Sequence, residues 1–322
     1  MLTASIVICT KDREADLRRC LDSLGTQTRP PDELVVVDSG SDGTEGVVRE
    51  FGQRLPGCEV QYLRCEPGLT KQRNVGIAAA TRDVLHFFDD DIVCEPDYLD
   101  EMQKTFEAEG AEDVLSVGPR VKLTYQPSRW VLPFRKLFLL TQVAGSGRLL
   151  PSAFGSYTWL APIDTIHPIE VISGCCCAFR REVFAQIAFD EFFEGYGFME
   201  DLDFTYRASR LGRMVCNPKA RITHFESQAA RTKMKRLMEM QIVNHCYVFK
   251  KHMPSDAFHW WCFWWSEFGE GLRRLALTIR LCNLDVARGM AKGLWTVLRR
   301  RVPQGEITGS AMGTEKNGVV SR

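Results

Sequence analysis

Three consecutive carboxylates, Asp89, Asp90 and Asp91, follow the apolar run Val84 to Phe88. Adjacent like charges repel unless a cation sits among them, and hard oxygen ligands suit Mg²⁺ or Mn²⁺, ions that also bind a diphosphate. The plain alternative is an acidic surface loop, but Phe87 and Phe88 tie this one to a buried strand. A second acidic group, Glu200 and Asp201, stands where a helix begins; acids there cap the helix and suit its dipole, or one of them is a general base. Asp38, in VVVDSGSDGT, is placed to accept hydrogen bonds from a nucleoside or simply to shape a strand-to-helix turn. Lys71 and Arg73, in GLTKQRN, offer phosphate contacts or a solvated helix face. His224, in ITHFESQ, reads as a packed histidine or a metal ligand. The thiols Cys175, Cys176 and Cys177 read as small-residue packing beside a cleft, since nothing around them lowers a thiol pKa.

Such residues need a scaffold, and the pattern supplies one. Ser5 to Cys9 is β-branched and apolar, TKDR breaks it, and Leu17, Leu21 and Leu24 follow at helical spacing. Strands then recur at Glu33 to Val37, Val60 to Leu63 and Val84 to Phe88, separated by helical stretches at Val47 to Phe51 and Thr70 to Ala80. Alternation at this spacing predicts βαβ units and a parallel sheet with its ligand site at the carboxyl ends of the strands, where the polar motifs fall. A further helix and a strand at Val114 to Val117 lead into an irregular excursion over 120–168, rich in Trp, Pro and Gly. Order returns with EVISGCCCAFRREVF, a helix is expected from about Glu200 to Leu211, and helices follow from about 227. Residues 303–322 read as a loose polar tail.

At 322 residues with 45% hydrophobic and 25% charged residues, the chain can bury a sizeable core, which excludes disordered and disulfide-stapled classes. Equal acid and base hide a split: residues 1–204 carry 20 basic and 33 acidic side chains, residues 205–322 carry 21 and 8. The 12 cysteines show no Cys-x-x-Cys pair and fit a reducing compartment. Neither a signal peptide at Met1 to Thr10 nor a spanning apolar run is expected, so the reading is a cytoplasmic protein.

Together SIVICTKDR, VVVDSGSDGT, GLTKQRNVGIAAA, FFDDDI, SGCCCAFRREVF and GYGFMEDLDFTYRASRLG resemble, in order and over roughly residues 3–226, the family-2 inverting glycosyltransferases of the GT-A fold. The resemblance implies an α/β fold: a mixed, mostly parallel sheet flanked by helices, with a nucleotide-sugar half (1–119) and an acceptor half (120–226). It implies that Thr10, Asp12 and Asp38 hold the nucleotide, that Asp89 and Asp91 bind the diphosphate metal, Mg²⁺ or Mn²⁺, and that Asp90 contacts the ribose. Lys71 or Arg73 would offset charge on the leaving diphosphate. Asp201 matches the general base, Glu200 tunes it, and His224 joins the metal or diphosphate. The partners implied are a nucleotide-diphosphate sugar and a glycan or lipid-linked acceptor. A nucleotidyltransferase shares the metal carboxylates but needs a glycine-rich phosphate loop after the first strand, where TKDREAD has no glycine. A non-catalytic sugar-nucleotide-binding module is the other alternative.

The flank at 227–302 lies outside those motifs. HWWCFWW, residues 259–265, holds four of the seven tryptophans. Beyond it Leu272, Leu275, Ile279, Cys282, Val286, Met290, Leu294 and Val297 share one helical face, and Arg273, Arg274, Arg280, Arg288 and Lys292 the other. An aromatic belt beside a basic amphipathic helix suits a peripheral contact with an anionic membrane on its inner face; packing on the body or on a second copy is the alternative. No nucleic-acid module is recognisable.

Overall fold

The computed structural model describes residues 1–124, 130–142, 147–160, 163–227 and 233–305. Its first half alternates as the hydrophobic periods predict: β1 (Ala4–Thr10), α1 (Glu14–Leu24), β2 (Glu33–Asp38), α2 (Thr44–Arg54), β3 (Glu59–Arg64), α3 (Leu69–Ala79) and β4 (Val84–Asp89). There follow β5 (Ile92–Cys94), α4 (Tyr98–Glu107) and β6 (Val114–Leu123). The excursion contains short pieces: α5 (Val131–Leu137), β7 (Arg148–Leu149), β8 (Gly155–Ser156), a 3₁₀ turn (Thr158–Leu160) and β9 (His167–Pro168). Then come β10 (Cys176–Arg180), α6 (Glu200–Ala208), β11 (Arg213–His224), α7 (Met234–His252), α8 (Ala257–Leu281) and α9 (Leu284–Leu298).

The central sheet runs β3-β2-β1-β4-β10-β6-β11-β5, with β9 added beside β11. β1 to β4 are parallel, β10 is antiparallel to both its neighbours, and β6 and β11 are parallel again. Period-2 alternation divides the side chains: Ile6, Ile8, Leu34 and Val36 pack under α1, α2 and α4 on one face, while Val7, Val35, Val37 and Phe87 pack with Ile77 of α3 and Phe204 of α6 on the other. At Gly76 an added Cβ would lie 2.3 Å from Val7 Cγ1, so the absence of a side chain lets α3 settle onto β1.

A third core joins α7 to α9 with the segments around 149–202: Ile242, Phe249, Phe263 and Val297 bury against Phe193 and Leu202. The apolar face expected to run unbroken from Leu272 to Val297 is divided, because Cys282 takes φ 47° and ends α8. Val286 and Val297 are buried, whereas Leu272, Leu275 and Ile279 face outward. Arg274, expected on a solvated face, is buried against Glu267 at 3.1 Å. The helix expected to reach Leu211 ends at Ala208. Among the described residues no helix is long and apolar enough to cross a membrane.

Candidate active site

The carboxyl ends of β1 and β4, the N-terminus of α6 and the end of β11 open on one cavity of about 1270 Å³. Thr10, Lys71, Arg73, Asp89, Asp90, Asp91, Glu200, Asp201 and His224 all line it. They come from five places in the chain, and the sheet order brings them together because parallel strands deliver their following loops to one edge.

Asp89 ends β4 and Asp91 lies in the turn into β5. β11 pairs antiparallel with β5 so that His224 stands opposite Ile92. This register sets His224 Nε2 3.0 Å from Asp91 Oδ1. One ligand atom from each of Asp89, Asp91 and His224 lies within 4.8 Å of the others. Burial alone would raise Asp91, but the hydrogen bond and charge of His224 and the Ser227 N–H hold it below the usual carboxylate value. His224 is correspondingly raised: burial, the largest single influence, opposes its charge, and the Asp91 hydrogen bond together with the charges of Asp89, Asp91 and Glu226 overcomes it. Two carboxylates and an imidazole converging this way are a donor set for a divalent cation, and the imidazole suits Mn²⁺ at least as well as Mg²⁺.

Asp90 points elsewhere. Thr10 Oγ1 donates to its Oδ2 at 2.7 Å and Arg13 Nη1 to its Oδ1 at 2.9 Å, while burial pushes its carboxyl up to about 7 against those partners. Arg13 also approaches Asp91 Oδ2 at 3.7 Å. No sequence signal marks it, because Lys11 and Arg13 in TKDREAD fall in no helical or phosphate-loop spacing.

Arg73, 3% exposed, links the two ends of the cavity. Its Nη1 donates to Glu200 Oε1 at 3.0 Å, its Nη2 donates to the Gly174 carbonyl at 3.0 Å, and Nη2 lies 3.6 Å from Asp89 Oδ1. Of its two readings as a sequence, phosphate contact or solvated charge, burial excludes the second. Lys71, two residues earlier and so on the opposite side of α3, is exposed at the cavity rim.

Glu200 and Asp201 are the first residues of α6, entered through Met199 at φ 72°. Asp201 Oδ2 accepts the Gly174 N–H at 2.8 Å and the Tyr157 hydroxyl at 3.4 Å, and Oδ1 accepts the Leu202 N–H at 2.7 Å. A Cβ on Gly174 would stand 2.8 Å from Asp201 Cβ, so only glycine brings that N–H to the carboxylate. Burial raises Asp201 against these bonds. Burial, with the Asp201 charge adding to it, pushes Glu200 up to about 8 despite Arg73. Two adjacent buried acids hold a proton that either alone in water would release. One turn on, Asp203 accepts from Arg207, Lys251 and His252, which anchors α6 to α7. Tyr157, Gly174 and this anchor are contacts between segments far apart in sequence, and no local pattern marks them.

Asp38 and Asp12 lie outside the cavity lining. The Asp38 carboxylate, fully buried, accepts from Gly40 N–H at 2.6 Å, Tyr62 at 2.7 Å and Arg64 at 2.9 Å. Asp12 Oδ1 accepts from the Ser41 N–H at 2.7 Å, so the two acids shape the adjoining β1–α1 and β2–α2 loops. The three cysteines are buried and their thiols raised, with burial the largest cause in each, which agrees with packing.

The family model described as Glycosyl transferase family 2 matches residues 5–188, more than half of the chain. The chain belongs to glycosyl transferase family 2. Glycosyltransferase AglE of Haloferax volcanii is 29% identical over 124 residues, a match covering 38% of this chain and 40% of that protein. The chain therefore matches less than half the length of that relative. Among solved structures, TarS of S. aureus in complex with UDP superposes with a TM-score of 0.53 at 17% identity, covering 80% of this chain and 68% of that one. Mannosyltransferase PcManGT of Pyrobaculum calidifontis, in complex with GDP-Man and Mn²⁺, superposes at 0.51 and 17%, covering 92% and 81%. At such identity the likeness is one of fold, and the fold is GT-A.

Proposed function

We propose that this chain moves a sugar from a nucleotide-diphosphate sugar to an acceptor hydroxyl in a single displacement that inverts the anomeric carbon. The observation that carries this reading is Arg73, one buried guanidinium joining the carboxylate at a cation site to the acid pair at the other end of the same cavity. Asp89, Asp91 and His224 would hold Mg²⁺ or Mn²⁺, which supplies Lewis-acid stabilisation of the departing diphosphate. Lys71 at the rim and Arg13 beside Asp91 add positive charge on that side. Thr10, Asp12 and Asp38 shape the nucleoside side, and Asp90 braces Thr10 and Arg13.

Asp201 is the base. Its hydrogen bonds fix its orientation, and burial makes it a stronger base than an exposed aspartate. It takes the proton as the acceptor oxygen bonds to the anomeric carbon, while the carbon–oxygen bond to the diphosphate breaks and its electron pair leaves with the phosphate. Tyr157 and Trp159, stacked with centroids 6.4 Å apart, line the cavity beside Asp201 and offer the acceptor an aromatic wall. We take residues 1–226 as the transfer domain and the acceptor as a glycan or lipid-linked saccharide. All twelve cysteines are free thiols, which suits the cytoplasmic side.

The decisive experiment is Asp201→Asn, which keeps shape and removes the base. Transfer is expected to fall about 10²–10⁴-fold with the donor dissociation constant little changed, and NMR of the wild-type product should show inverted configuration. Near-normal turnover in the variant, or a product of retained configuration, overturns the assignment. Donor binding without turnover in the wild type would instead identify a binding module.

A further inference from the structure

We propose that the outer face of α8, with the end of α5, is a surface that docks on an anionic phospholipid leaflet. At 100° per residue Trp261, Trp264, Phe268, Leu272, Leu275 and Ile279 fall within an arc of about 80° along about 27 Å of helix. All six are exposed, Trp261 at 56%, Phe268 at 55% and Ile279 at 70%. Leu137, at the end of α5, continues the patch at 62% exposure, held there because Trp265 Nε1 donates to its carbonyl at 2.7 Å and Phe138 packs on Trp265. An apolar surface of this extent marks an interaction site.

The stripe faces outward because the other side of the helix is anchored. Glu267 pairs with His245 at 2.7 Å and with Arg274 at 3.1 Å, and Phe263 is fully buried. Rolling α8 to hide the tryptophans would bury its outer arginines and expose these ion pairs to water. Five charged residues along α8, among them Glu267, Glu270 and Arg280, rule out its spanning a bilayer. A helix that cannot span and cannot roll is left to lie in the interface.

Charge selects the occupant. Arg280 lies on the same outward side of α8, about 80° beyond one edge of the arc. Arg273, about 20° further on, is exposed and paired with Glu270 at 2.7 Å. Arg288, Arg299, Arg300 and Arg301 of α9 and its end are exposed. The acids of α8, Glu267 and Glu270, are buried. An aromatic stripe with exposed arginines and no exposed acid on the same helix matches a leaflet whose headgroups are negative and whose edge accepts tryptophan. Glu270 and Arg274, on the inner side of the same helix, line the cavity. Docking would therefore bring the acceptor side of the cavity to the membrane, a consequence that rests on the reading of function above, whereas docking itself does not.

The test is flotation of the full chain with vesicles of phosphatidylcholine alone or with about a quarter phosphatidylglycerol, read together with tryptophan quenching by brominated lipid. Binding to the anionic vesicles only, weakened by salt and with quenching, is expected. The triple variant Trp261→Ser, Phe268→Ser, Leu275→Ser should lose at least roughly a hundred-fold in partitioning with an unchanged circular dichroism spectrum. Arg280→Gln should lose about five-fold. Absence of vesicle binding or of quenching by the wild type overturns the proposal, whatever the folding of the variants. A wild-type dimer that the triple variant dissolves, without vesicle binding, assigns the face to a second copy. These readouts measure binding alone, so they stand apart from the Asp201→Asn result.

Discussion

Glu200→Gln removes one member of the buried acid pair. Glu200 is 6% exposed, and burial with the Asp201 charge pushes its carboxyl from 4.5 up to about 8, with Arg73 opposing. Between those values the folded chain keeps a proton that the unfolded chain has released. Stability therefore falls as pH rises through the window, by up to ~1.4 kcal/mol per pH unit, and the loss integrates to about 4–5 kcal/mol above pH 8. Glutamine keeps the shape and an oxygen for Arg73 but does not titrate, so the variant lacks this slope. Every other titrating group is common to both proteins, but Asp201 loses its charged neighbour in the variant, so the difference reports the titration of the Glu200–Asp201 pair. Urea unfolding followed by tryptophan fluorescence at unit intervals from pH 5 to 9 should show the variant gaining on the wild type up to pH 8 and then levelling. A difference that stays flat from about pH 5 to 9 would mean that Glu200 is not raised, being either an ordinary glutamate or one that Arg73 holds below 4.5, and that result refutes the reasoning.

Two further perturbations address the scaffold and the cation site. Gly76→Ala puts a methyl 2.3 Å from Val7 Cγ1 between helix and strand backbones that cannot easily part, and should destabilise by about 1–3 kcal/mol in the same unfolding assay; no loss would show that α3 sits further from β1. Asp91→Ala removes the partner of His224 and of the Ser227 N–H, and should weaken Mn²⁺ binding, titrated with the metal alone, at least roughly a hundred-fold with the melting profile little changed. Equal Mn²⁺ affinity would remove Asp91 from the ligand set.

Much of the framework was legible from local order. Continuous β-branched runs at Ile6–Ile8 and Val35–Val37 and the apolar strand before Asp89, separated by residues at helical spacing, declare a βα alternation, because strands buried on both faces of a parallel sheet are apolar throughout. The parallel strands of that alternation in turn place Thr10 and Asp89 at one edge of the sheet. Residue type likewise announced the acid cluster, the acid pair and the basic, tryptophan-rich flank. The boundaries of α2, α6 and the division at Cys282 were less visible, since helix ends depend on what the terminal residues pack against.

Contacts between distant segments were decided by tertiary structure alone. Arg73 has the same side chain whether solvated or buried, and only the approach of Gly174 and Glu200 to α3 makes it a bridge. His224 becomes a partner of Asp91 through the antiparallel register of β11 on β5, and Asp90 is turned from the cation site by Thr10 and Arg13. Arg273 and Arg274 are neighbours of one type in sequence, yet one is exposed and the other lies in a buried ion pair. Sequence determines which chemical groups the chain carries and the period on which they recur. Which of them lose water, and beside whom, is set by the packing of elements far apart along the chain, and burial and neighbouring charge are what move their pKa values.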